Sequence, residues 1–412
     1  MPIATAIRQS IGDSSWIRKM FEEGARLKAL HGEREVFDMS LGNPDLEPPR
    51  QFVEKLRELA QSEQLGTHGY MSNAGYVETR AAMARKVARE HRIEITADKV
   101  VMCVGAAAGL NVVLKTILDP GDEVLVTRPY FVEYGAYAGN HGGVLRVVDP
   151  TLDFGISAEN IAAALGPKTT AVIVNSPNNP TGRLYSEASI EALGEALTLH
   201  AAKTGRRVAL LVDEPYRDLV YGGKVTPPIA CHYRDTIVVN SFSKSLSLAG
   251  ERIGYIAVAP TCEDADELVA GLVMCNRTLG FVNAPALMQR VVASLENVTI
   301  DISPYERRRN VLAKGLRSAG IEFCEPDGAF YLFCRCPIVD DVGFVAHLKE
   351  HRILGVPGQG FGYPGWFRLS YAVPDWVTDG AAERFRTAMK NWHELTGKNR
   401  VTSPHLVMPT SR

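Results

Sequence analysis

The chain predicts an α/β fold, a mostly parallel sheet sandwiched by helices, with a smaller α+β domain beside it. Three observations predict this. Short continuous apolar runs, most of them β-branched, recur between residues 100 and 241, at VVMCV, EVLVT, VLRVV, AVIVN, VALLVDE and IVVNS. Helix-like stretches such as IEALGEALTLHAAKTG separate several of them. After about residue 290 the rhythm loosens, and segments such as EFCEPDGAFYLFCRC alternate like an antiparallel strand. Continuous apolar strands are buried on both faces, as in a parallel sheet. Their alternation with helices is the α/β pattern.

In chain order, Ser14-Ser15 reads as the N-cap of an amphipathic helix, WIRKMFEEGARLKAL. VFDMSLGNPDLEPP is extended and Pro-rich, a candidate hinge, and YVETRAAMARKVAREHRI is a second long helix. The six apolar runs follow. Beyond them come a charged helix (ISPYERRRNVLAKGLRSAG), the alternating segment, a strand (GWFRLSYAV) and a closing helix (DGAAERFRTAMKNWHELTG). The tail KNRVTSPHLVMPTSR has no periodicity. The expected division is a large domain over 48–290 and a small one formed by 1–47 with 291–412.

Composition narrows the function. The 412 residues are 46% hydrophobic and 22% charged, with a net charge of -2, so no basic field favours nucleic acid. The seven cysteines are scattered without a CxxC pair, which indicates neither zinc nor a disulfide framework and fits a reducing compartment. MPIATAIRQS lacks the apolar core of a signal peptide, and no run is long enough to span a membrane. A cytoplasmic enzyme is expected.

Ligands of a parallel sheet gather at the carboxyl ends of its strands. VVMCV is followed by GAAAGL, small residues that open a helix; its free N–H groups suit phosphate, or the small residues serve close packing on the sheet. Neither a Walker lysine nor GxGxxG is present, so nucleotide binding is not supported. Tyr130 follows EVLVTRP and either stacks on a flat ligand or belongs to the core. After AVIVN, SPNNPTG is a Pro-stabilised turn whose Asn179 could donate to a ring hydroxyl. Asp213 ends VALLV; a carboxylate there needs a partner, and a protonated ring nitrogen is one. Glu214 is as readily an exposed loop acid. Ser241, Ser243 and, eight residues after Lys244, Arg252 suit a phosphate dianion. Lys244 is either a surface cation or an amine that forms a Schiff base with an aldehyde. One ligand has a phosphate, a basic aromatic nitrogen, a ring hydroxyl and an aldehyde: pyridoxal phosphate.

At this point NNPTG (178–182), DEPY (213–216), SFSK (241–244), Arg252 and FRLSYA (367–372) are recognisable together. From about residue 35 to 390 the chain resembles the class I/II aminotransferases, the aspartate aminotransferase superfamily of fold type I. The resemblance implies that Lys244 binds the cofactor and shuttles the substrate proton, and that Asp213 keeps the pyridine nitrogen protonated. It implies Asn179 and Tyr216 on the ring oxygen, and Tyr130 stacked on the ring. Gly105, Ala106, Ala107, Ser241, Ser243 and Arg252 would surround the phosphate. Tyr70, in HGYMSNAG, would reach the phosphate of the neighbouring subunit in a homodimer. Arg368 would hold the substrate α-carboxylate, with Gly42 closing over it. GAAAG lacks the polar side chain common in the family, so the grip there would be mainly backbone.

The implied reaction is reversible, ping-pong transfer of an amino group between an L-amino acid and a 2-oxo acid. The alternative is another reaction of the same cofactor on this fold: β/γ-lyase, decarboxylase, cyclase or oxidase. A regulator that binds the cofactor would carry a DNA-binding module ahead of the fold, and only about 35 residues precede it. Arg277 could read a distal carboxylate but reads rather as a surface or inter-subunit residue. Phe131, Tyr134, Tyr137 and Phe281 could line an apolar pocket or lie in the core. The amino donor stays open.

Overall fold

The structure, a computed structural model, describes residues 3–5, 7, 8, 16–62 and 65–396. Ser14, Ser15 and the tail from Lys398 lie outside the described residues.

All six apolar runs become strands of one sheet. After β1 (Phe37–Asp38) come β2 (Val100–Cys103), β3 (Glu123–Thr127), β4 (Val144–Val148), β5 (Thr169–Asn175), β6 (Ala209–Asp213), β7 (Thr236–Ser241) and β8 (Gly254–Val258). The sheet has seven strands in the order β2-β8-β7-β6-β5-β3-β4. Only β8 is antiparallel to its neighbours β2 and β7; the pairs among β3, β4, β5, β6 and β7 are parallel. β8 is the short apolar run GYIAV, which was not among the six predicted strands.

The continuous apolar runs are explained by the two faces. Along β5, Ala171 and Ile173 enter the core on one face, while Val172 and Val174 enter the core on the other. The helices Gly105–Ile117 and Ala265–Thr278 cover the first face. The helices Val77–His91, Glu187–Thr204 and Ala286–Val292 cover the second. Glu187–Thr204 has both ends fixed by sequence. The Ser186 hydroxyl accepts from Ser189 N at 3.1 Å, and Gly205 ends the helix at φ 72°.

A third core forms around a four-stranded antiparallel sheet, β12-β13-β10-β9. Its strands are β9 (Phe323–Cys324), β10 (Tyr331–Arg335), β12 (Val356–Pro357) and β13 (Trp366–Ser370). Separately, β11 (Ile353–Leu354) pairs in parallel with β1. EFCEPDGAFYLFCRC is thus two strands, not one. Pro326 has no N–H for a ladder, the Asp327 carboxylate accepts from Arg183 Nη1 and Leu184 N at 3.0 Å, and Ala329 sits at φ 56°. The helix Trp16–His31 lies on this part, with Trp16 against Gly360 and Gly24 against Asp38 and Leu354. Tyr216, Leu219 and Tyr221, which follow β6, join the same core and bring the end of the large sheet against the small one. Among the described residues no helix is long and apolar enough to cross a membrane, and no cluster of metal-ligating side chains occurs.

Phe333 is fully buried in this third core and stacks on Trp366 at 5.3 Å, with Phe154 edge-on at 5.8 Å. Phe333→Ala is expected to cost about 3–5 kcal/mol, measured as a lower urea midpoint.

Candidate active site

The carboxyl ends of β5, β6 and β7 converge on a cavity of about 320 Å³. Lys244 and Arg252 reach it from the connection between β7 and β8, Arg368 from β13, and Gly42 from the segment after β1.

The geometry begins at the strand ends. Asn175, the last residue of β5, donates through Nδ2 to the Asp213 carbonyl at 2.8 Å and accepts from Asn179 N at 2.7 Å. Asn179 Oδ1 in turn accepts from Arg368 Nη1 at 3.0 Å. Arg368 also donates to the Ser40 carbonyl at 2.7 Å, lies over the Tyr331 ring, and is 1% exposed. Its Nε is buried without a partner. Tyr216 and Tyr331 share a hydroxyl–hydroxyl bond of 2.8 Å. Lys244 Nζ donates to the Gly42 carbonyl at 2.8 Å. Position 42 admits glycine only, since a Cβ there would lie 1.8 Å from the Tyr331 hydroxyl.

At the opposite end, Gly105 opens its helix at φ 80°, a conformation natural to glycine. A Cβ there would fall 2.7 Å from Arg252 Nη2. Backbone N–H groups at this helix start, the serines at 241 and 243 and the Arg252 guanidinium form a cradle for an anion.

Burial sets the proton affinities. Desolvation pushes Asp213 from 3.8 up to about 7, and the Glu214 charge adds to this; the bond from Tyr134 opposes it. Desolvation brings Lys244 from 10.5 down to about 7, helped by Arg368 and Arg252. Burial raises Tyr216 well above the ordinary phenol value. Asp213 Oδ2 accepts from Tyr134 at 2.5 Å, whereas Oδ1 is buried with no partner.

Of the residues singled out in the sequence, Gly42, Ala106, Ala107, Asn179, Asp213, Tyr216, Ser241, Ser243, Lys244, Arg252 and Arg368 line the cavity. Gly105 borders it through Arg252. Tyr130 does not line it: its ring packs on Gly362 and its N–H donates to the Phe361 carbonyl, so the next residue, Phe131, forms the wall. Tyr70 is 94% exposed and outside the cavity of its own chain. Arg277 is exposed and does not line the cavity either. Tyr137 lines the wall, while Tyr134 is buried behind it. Glu214 is not a loop acid. It is 0% exposed and bonded to His91 Nε2 at 2.9 Å and Arg217 Nη1 at 3.0 Å. Sequence reasoning missed Asn175 and Tyr331. The first was legible as the polar end of AVIVN; the second carried no local signal.

The residues present fit pyridoxal phosphate. The orphaned Asp213 oxygen suits a pyridinium N–H, the Gly105 end suits a phosphate, and the Lys244 amine suits an aldehyde. The two perturbed groups also govern the cofactor-free protein. Asp213 holds its proton more tightly folded than unfolded, so its contribution is present below pH 4 and lost as pH rises to about 7. Lys244 contributes above about pH 10.5 and loses that contribution as pH falls to about 7. Urea midpoints of the cofactor-free protein are expected to dip near pH 7, and the dip is expected to flatten in Asp213→Asn, Lys244→Met.

Comparison with known proteins agrees with this geometry. Residues 34–385 match the family model "Aminotransferase class I and II". The chain is 33% identical to the aspartate aminotransferase of Thermotoga maritima, covering 87% of this chain and 92% of that one. It is 34% identical to the aspartate/prephenate aminotransferase of Thermus thermophilus, covering 87% and 93%. Among solved structures, an amino transferase from Eubacterium rectale superposes with a TM-score of 0.91 at 36% identity, covering 95% of this chain and all of that one. The chain therefore belongs to the class I and II aminotransferases and is a pyridoxal-phosphate-dependent enzyme of fold type I.

Proposed function

We propose that the protein exchanges an amino group between an L-amino acid and a 2-oxo acid by a ping-pong mechanism, as a cytoplasmic homodimer. The observation that carries this reading is the meeting, in one cavity, of a softened amine, an unpartnered carboxylate oxygen and a buried guanidinium with N–H groups to spare.

Pyridoxal phosphate, when bound, supplies an aldehyde and a ring that takes up the electron pair left when the substrate Cα–H bond breaks. Lys244, whose burial brings its amine down to about 7, would hold the aldehyde group through Nζ and would carry the substrate Cα proton. Asp213 would accept the pyridine N–H through its unpartnered Oδ1. Asn179 gives its Oδ1 to Arg368, which leaves Nδ2 for the ring oxygen beside Tyr216. Gly105, Ala106, Ala107, Ser241, Ser243 and Arg252 hold the phosphate. Phe131 takes the place on the ring expected of Tyr130. Arg368 uses two of its five N–H bonds on Asn179 and Ser40, so the others fork onto the α-carboxylate. Tyr70, exposed on its own chain, reaches the partner's phosphate. The unit 1–47 with 291–412 closes over 48–290, and Gly42 moves with it.

The wall beside the reacting centre is apolar: Leu41, Ala106, Ala107, Leu110, Phe131 and Tyr137. Among the described residues its cations are Lys244, Arg252 and Arg368, each with a role above.

The deciding experiment records the visible spectrum of the holoenzyme while each amino acid is added without an oxo acid. Conversion to the pyridoxamine band is expected with the amino acids that serve as donors; release of ammonia, carbon dioxide or peroxide would instead mark a different reaction. Arg368→Ala is expected to raise KM about 100-fold with less effect on kcat, matching a loss of about 3 kcal/mol for an unpaired buried carboxylate.

A further inference from the structure

The two oxygens of Asp213 have different surroundings. Oδ1 is free, and Oδ2 accepts from the Tyr134 hydroxyl at 2.5 Å. Tyr134 is 1% exposed and sits in the helix Glu133–Gly139, which follows β3, two strands from β6 in the sheet. Its ring meets Phe131 edge-on at 5.6 Å, so one side chain contacts both the cavity wall and the carboxylate. Burial and the nearby Asp213 charge raise the phenol well above its ordinary value, so it stays a donor.

Other groups face Asp213 without donating to its carboxylate. Glu214 adds negative charge from the next position, and the Tyr216 and Tyr137 hydroxyls lie nearby. Lys244, Arg252 and Arg368 share the cavity, and Asn175 bonds only the Asp213 backbone carbonyl. Among the described residues, Tyr134 is the side chain that donates to this carboxylate.

We propose that Tyr134 is a positioning residue that keeps Asp213 ionised, turns its free Oδ1 toward the cavity, and so decides on which side the proton shared with the pyridine nitrogen rests. The proposal depends on the reading of Asp213 as the partner of that nitrogen. Without the Tyr134 bond, burial and Glu214 act unopposed, and Asp213 claims the proton for itself.

The test uses holoenzyme loaded with pyridoxal phosphate labelled with 15N in the ring, read by NMR near pH 7.5, together with cofactor affinity from pH 5 to 9. Tyr134→Phe is expected to move the 15N resonance toward the unprotonated position and to shift the acid limb of binding up by about one pH unit. Tyr134→3-fluorotyrosine keeps the shape with a more acidic hydroxyl and is expected to shift that limb down. It also keeps the test decisive if the phenylalanine variant does not fold. Asp213→Asn separates the two readings. If it moves the resonance while both Tyr134 variants leave resonance and limb unchanged, Tyr134 only fills space and the proposal falls. If Asp213→Asn leaves the resonance in place, the reading of Asp213 falls and takes this proposal with it.

Discussion

The polar arrangement of the cavity is built outward from one amide, the side chain of Asn175. Its Nδ2 fixes the carbonyl at the end of β6, and its Oδ1 fixes the backbone of Asn179. Asn179 then orients Arg368, which comes from the small sheet. Two neighbouring strand ends and a residue distant in sequence are thereby held by three hydrogen bonds in a buried place. Buried amides of this kind leave little freedom, since each unmade bond costs about 1–3 kcal/mol.

The cavity collects groups that burial disfavours, and the protein supports them from behind. Glu214, adjacent to Asp213, is fully buried and held by His91 and Arg217. His91 Nδ1 accepts from Ile229 N at 3.1 Å, so its Nε2 carries the proton that Glu214 receives. Lys86, Glu90 and Asp218 extend the cluster toward the surface. The strand end that presents Asp213 forward is thus anchored behind by paired charges, which a buried carboxylate requires.

Much of this was legible in the sequence, and the reasons for the rest are physical. The six β-branched runs gave their strands because burial on both faces demands continuous apolar character. That Lys244, Asp213, Asn179 and Arg252 meet at one cavity was legible because polar residues at strand ends gather at one edge of a parallel sheet. Tyr130 and Phe131 are adjacent aromatics, and local sequence does not say which of them lines the cavity; in the structure it is Phe131. Tyr134 and Tyr331 matter through contacts between distant segments, which no spacing rule encodes. Glu214 looked like a surface acid until His91, 123 residues away, was seen beside it.

The reversed strand β8 has a mechanical consequence. Because β8 runs against its neighbours, the single connection from β7 begins and ends at the same edge of the sheet, so Lys244 and Arg252 are two points on one short rigid span. Both belong to the large sheet, while Arg368 is carried by β13 of the other sheet. The anion cradle and the guanidinium that faces it are thus written on separate parts of the chain. A shift of the small sheet against the large one would move the Arg368 guanidinium and leave that cradle in place.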